Sequence, residues 1–149
     1  MKSILHIFLI TLVSGLAACG DDPTCVDRDS SIIKIDFLGD DGLAKDISIL
    51  SISAPGNNDG FPELRDTTLN KLQLPLNPAA KTSTFIIEHE NGSDTIGFKY
   101  NVVAQLISPE CGLDATFSNL DTTLVTFPQA IIISDIINVQ IPTNIEITH

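Results

Sequence analysis

The chain has 149 residues, with 8 basic and 19 acidic side chains and a formal net charge of −11. That length suits one domain with a single core and leaves no room for a second. So acidic a surface repels phosphate backbones, which argues against nucleic acid as a partner.

The first segment is the most informative. Met1-Lys2 precedes an apolar run over residues 4–13, broken only by His6 and Thr11, and the run closes on Leu16-Ala17-Ala18-Cys19. A basic start, a short apolar stretch and small residues before a cut site make a secretory signal rather than a membrane span. Its last four residues resemble the lipobox of bacterial lipoproteins. The resemblance implies cleavage before Cys19, acyl chains on that cysteine, and a lipid-anchored protein of the bacterial outer membrane, on its periplasmic or cell-surface face. Residues 1–18 are then the signal peptide, 19–30 a polar tether, and 31–149 the folded domain. Two or more acyl chains anchor a protein stably. The acidic surface repels anionic headgroups, so attachment falls to the acyl chains alone. The acidic pair Asp21-Asp22 resembles the signal that sends Bacteroidota lipoproteins to the outer face, although Gly20 precedes it and a solvated spacer reads equally well.

Acylation of Cys19 leaves Cys25 and Cys111, an even number in an oxidising compartment. A disulfide between them is expected, worth roughly 4–5 kcal/mol in the chain-entropy model for so long a loop. Two separate buried thiols are the alternative.

From Ser31 onward the pattern is that of strands. Ile33, Ile35 and Phe37 alternate with Lys34 and Asp36, the period-two signature of a strand with one wet face. Residues 46–53 follow after a Gly39-Asp40-Asp41-Gly42 turn, and their apolar positions change phase between Ile49 and Leu50, which suggests a bulge or burial on both faces. Residues 54–62 form a long loop dense in turn formers, with Phe61 the one aromatic outside a strand pattern. Leu72, Leu74 and Leu76 make a third strand, ending in prolines that suit an edge. Residues 82–90 make a fourth, and Asn91-Gly92 predicts a type I′ hairpin with positive φ at both residues. Ile96, Phe98, Tyr100 and Val102 share a face of the returning strand. After the turn at 108–112, Leu113, Ala115 and Phe117 alternate again, and residues 122–127 continue. Residues 130–137 suit either a helix turn or a strand, the β-branched content favouring strand. Ile145 and Ile147 close the pattern. The expected fold is all-β: a single antiparallel β-sandwich of immunoglobulin-like type, about eight strands, with a small barrel as the alternative.

Several of these stretches together resemble a family of small Bacteroidota lipoproteins that carry a domain of unknown function. The likeness rests on the lipobox, Cys25 soon after it, and Leu74-Pro75-Leu76. It continues in the strand 94–100 of form Asp-Thr-Ile-x-Phe-x-Tyr, in the Ser-x-x-Cys-Gly turn at 108–112, and in Phe117-Ser118-Asn119-Leu120. It implies the fold, the anchor and the disulfide, and no activity.

Chemistry-bearing constellations are sparse. His89 alternates with Phe85 and Ile87 and reads as a partly buried strand histidine, and His149 is the last residue. No phosphate loop, catalytic pair or metal-ligand spacing appears, so neither an enzyme, a cofactor nor a metal site is expected. The acidic turns 39–42 and 57–60 lack the spaced carboxylates of a calcium loop. With no Trp and one Tyr, which is in phase with the core, glycan platforms are wanting. Three Asp-Thr-x stretches, at 66–68, 94–96 and 121–123, resemble Bacteroidota O-glycosylation sequences, although Asp and Thr are common at strand entries. The function read from these residues is a non-catalytic envelope module that binds another protein through Asn57, Asn58, Asp59 and Phe61 or an exposed strand edge. A small-ligand or glycan-binding accessory lipoprotein is the alternative.

Overall fold

The computed structural model describes residues 31–57, 60–109 and 112–149. Among these the chain forms nine strands: β1 (Ile32–Leu38), β2 (Ile47–Ser53), β3 (Thr67–Leu69), β4 (Lys71–Pro75), β5 (Thr82–His89), β6 (Gly92–Ser108), β7 (Gly112–Val125), β8 (Gln129–Ile132) and β9 (Ile145–Thr148). A single 3-10 turn, Pro62–Leu64, interrupts them. The strands pair into two sheets, β4-β1-β9-β8 and β3-β2-β5-β6-β7, which face each other across one core as the expected sandwich. Every pairing is antiparallel except that of β1 with β9, which run parallel with Ile35 opposite Ile145 and Leu38 opposite Thr148.

Alternation decides which side chains fill the core. Ile33, Ile35 and Phe37 of β1, Leu72 and Leu74 of β4, and Ile145 and Ile147 of β9 are buried on one side. Phe85 and Ile87 of β5 and Ile96, Phe98 and Tyr100 of β6 meet them from the other. Each such side chain contributes about 1.5–3 kcal/mol when fully buried. In β2 the phase change is a true bulge. The register with β5 shifts between Ile49 and Ser51, which turns Leu50 outward and returns Ile52 to the core beside Ile47 and Ile49. A second irregularity explains the spacing of Phe117 and Leu120. Asn119 sits at φ 53°, where the β6–β7 register shifts between Lys99 and Asn101. The extra residue lets two positions three apart both reach the core.

The hairpin between β5 and β6 forms as expected, but its turn is centred one residue earlier. His89 pairs with Gly92, so Glu90 and Asn91 are the central residues and neither has positive φ; Gly92 alone does, at 143°. The cause is local: the Asn91 N–H donates to His89 Nδ1 at 3.3 Å, and the Glu90 N–H to the Ser48 carbonyl of β2 at 3.3 Å. The stretch 130–137 resolves into the short strand β8 followed by irregular chain, with Ile137 bridging to Phe117. A polar group stitches this region together. Asn144, fully buried, accepts from the Lys34 N–H at 3.1 Å and donates to the carbonyls of Ile136 at 2.9 Å and Ser134 at 3.4 Å.

Candidate functional site

Two arrangements stand out, at opposite ends of the sandwich. The first is a cavity of about 490 Å³ where β4 ends and β5 begins, the end at which Ser31 enters the fold. One wall is the loop after β2, through Ala54, Pro55, Gly56, Asn57 and Phe61; the others are Pro75, Leu76 and Asn77, and residues 82–85 of β5. The loop is held by its own backbone. Asn57 N–H donates to the Ala54 carbonyl at 2.9 Å, and Phe61 N–H to the Ile52 carbonyl at 3.2 Å. The Asn57 amide nitrogen donates to the Gly60 carbonyl at 2.9 Å. Gly60 is required here, because its φ is +65° and an added Cβ would lie 2.6 Å from the Ile52 oxygen. Phe61 is half-buried and tilts against Phe85, ring centroids 6.0 Å apart.

The polar groups of this pocket are largely committed to each other. The buried Tyr100 hydroxyl donates to the Asn77 carbonyl at 3.0 Å and lies 2.6 Å from Ser83 Oγ. Asn77 Oδ1 accepts from the Ala79 N–H at 2.9 Å. Asn77 and Ser83 are thus committed, and the rest of the wall is mixed, with Pro55 and Phe61 beside Asn57, Thr82 and Thr84. Of the expected interaction loop, Asn57 and Phe61 line the cavity, while Asn58 and Asp59 lie outside the described residues. So do Cys19, Cys25 and Cys111, and with them the expected acylation and disulfide. Tyr100 is the core tyrosine its phase predicts, bonded to neighbouring backbone.

The second arrangement lies at the other end. His89 closes β5, Asp94 lies across the hairpin on β6, and His149 follows β9 in the facing sheet. His89 Nε2 and Asp94 Oδ2 are 3.0 Å apart, and the two imidazoles meet edge to face at 4.6 Å. Phe127 lies against both rings, with centroids 6.3 Å from His89 and 6.1 Å from His149. Burial, followed by the neighbouring His89 and Lys45, lowers the pKa of His149 below the ordinary histidine value. His89 is the strand histidine its alternation predicts; its meeting with His149 brings together residues of two sheets. The signal was phase: His149 continues Ile145 and Ile147 inward as His89 continues Phe85 and Ile87.

DUF6452, a family of unknown function, matches residues 48–149. The chain belongs to that family. The DUF6452 match starts within β2 and so takes in the whole pocket lining and all three residues of the histidine cluster. β1 lies ahead of it, yet β1 joins β4 to β9, so the first sheet of this DUF6452 protein is completed by residues outside the matched span. No curated protein and no solved structure matches the chain.

Proposed function

We propose that the protein is a non-catalytic binding module, anchored to the bacterial outer membrane by acyl chains on Cys19, that receives an apolar side chain of another envelope protein in the pocket between loop 54–61 and the start of β5. The observation that carries this reading is the pocket itself, about 490 Å³, with Pro55 and Phe61 in its wall beside the polar Asn57, Thr82 and Thr84. Such a site selects by fit, with apolar contact at the ring and hydrogen bonds at its polar groups. Its position supports the reading as well, since it shares an end of the sandwich with Ser31, from which residues 19–30 lead back to the anchor. Fully extended, that tether reaches about 40 Å, which keeps the pocket near the membrane where an envelope partner resides. A Cys25–Cys111 disulfide belongs to the same proposal; Ser31 and the pair Ser108–Gly112, which flank the two cysteines in sequence, lie toward this end.

A cavity of this size also falls in the range of small-ligand sites, roughly 300–1,000 Å³, and this favours an accessory role with a small apolar ligand as the second reading. One experiment separates them. A photo-crosslinking residue at Thr82, on the pocket rim, should trap one discrete protein adduct in intact cells, and the same residue at the exposed Leu43, past the other end of β1, should not. Equal labelling from both positions, or none from Thr82, would overturn the protein-binding reading. A bound small molecule seen by native mass spectrometry would then favour the second.

A further inference from the structure

The histidine cluster is unrelated to the pocket, and its chemistry is specific. We propose that His89, Asp94 and His149 bind a divalent transition-metal ion of the Zn²⁺ class, which clamps the last strand of one sheet to the hairpin of the other. One ligand atom from each residue lies within 4.8 Å of the other two. Tetrahedral zinc with bonds near 2.0–2.1 Å places its ligands about 3.3 Å apart. The His89–Asp94 pair at 3.0 Å is already close to that spacing. His149, only half-buried, has to close by no more than about 1.5 Å, a small swing of one side chain.

The donor set is two imidazole nitrogens and one carboxylate oxygen. It suits a borderline ion such as Zn²⁺ rather than Ca²⁺ or Mg²⁺, which take oxygen ligands in larger number. Two neutral imidazoles and one carboxylate also leave an open position for water.

The surrounding groups orient the ligands as outer-shell partners do. Thr126 Oγ1 donates to Asp94 Oδ1 at 2.6 Å, which leaves Oδ2 directed at His89. The Asn91 N–H donates to His89 Nδ1, so the neutral ring carries its proton on Nε2 and shares it with Asp94. For Nε2 to ligate, the ring proton moves to Nδ1 and the 3.3 Å contact from the Asn91 N–H gives way, so that a neutral imidazole and the carboxylate both face the cation. Phe127 lines the site from one side, and its low-dielectric surface strengthens the charge interaction. Lys45 donates to the backbone oxygen of His149, so this cation is held at the main chain and not at the imidazole.

The test uses the full-length chain in detergent micelles, without a polyhistidine tag and stripped by chelator. Co²⁺ is titrated as a spectroscopic probe, and Zn²⁺ by competition against it. The expected result is one saturable equivalent with visible bands of low-coordinate Co²⁺ and no thiolate band in the near ultraviolet. Binding should persist when Cys25 and Cys111 are serine and be lost in both His149→Ala and Asp94→Asn. Thr126→Val should weaken it by about 10- to 100-fold. The melting temperature should rise with Zn²⁺ in the parent and stay fixed in His149→Ala, whose metal-free melt reports that it still folds. Absence of saturable binding, binding that follows the cysteines, or binding that survives both ligand substitutions would each overturn the proposal.

Discussion

At the scale of single residues, the polar groups carry as much structural information as the core. Tyr100 and Asn144 are both buried with hydrogen bonds to backbone, but only the first was visible in the sequence. Tyr100 falls in phase with Ile96 and Phe98, so its burial follows from alternation, and a buried phenol then needs a partner. Asn144 has no phase to betray it. It lies one residue before β9, where asparagine ordinarily reads as a turn former, and its role depends on contacts with Lys34, 110 residues away. Replacing Asn144 by alanine leaves the Lys34 N–H and the Ile136 carbonyl without their side-chain partner. At about 1–3 kcal/mol per stranded group, denaturant unfolding of Asn144→Ala should show a loss on the order of 3 kcal/mol. A loss below about 0.5 kcal/mol, the range of ordinary surface changes, would mean that water replaces the side chain without penalty.

At the scale of elements, periodicity located the long strands and tertiary contacts set their details. β1, β5 and β6 carry enough alternating positions to declare their inner faces. β3 has three residues, Thr67-Thr68-Leu69, too few for a period to show, and it exists because β2 offers an unpaired edge. The β5–β6 turn was placed by its Asn-Gly signal, yet the register is fixed by the His89 side chain and by β2. Loop 54–61 was legible as a loop but not as a pocket wall, since that depends on β4 and β5 ending beside it. Its shape rests on two glycines that differ in kind. Gly56 has φ +87° with open space around it, whereas Gly60 has φ +65° and no room for a Cβ. Gly56→Ala should therefore cost only backbone strain, about 1–2 kcal/mol. Gly60→Ala should cost more and also break the Phe61–Ile52 hydrogen bond. Amide exchange at Phe61 checks this: it should accelerate strongly in Gly60→Ala and little in Gly56→Ala.

At the scale of the whole molecule, the two ends of the sandwich do different work. The pocket shares its end with the start of β1, and the histidine cluster occupies the other. β6 and β7 run on past the start of β5, pairing from Asn101 with Ser118 out to Ser108 with Gly112, so a two-stranded ribbon extends beyond the pocket end. Val103 and Leu106 on it are each 60 % exposed. The start of β1, the pocket and this ribbon thus gather at one end of the sandwich. If Cys19 is the anchor, mass spectrometry of membrane-extracted protein should find an acylated N-terminus at that residue; an unmodified soluble form would remove the basis for that geometry.

The parallel pairing of β1 with β9 carries a mechanical consequence. A protein held by residues ahead of β1 and tugged from its far end is loaded along the strand axes. There Ile35 faces Ile145 and Leu38 faces Thr148 in the same direction of travel, so tension makes the two strands slide past each other. All the rungs between them resist at once, unlike a hairpin peeled open one rung at a time. Such shear geometry resists extension between the start of β1 and the end of β9 more firmly than a peeled hairpin would.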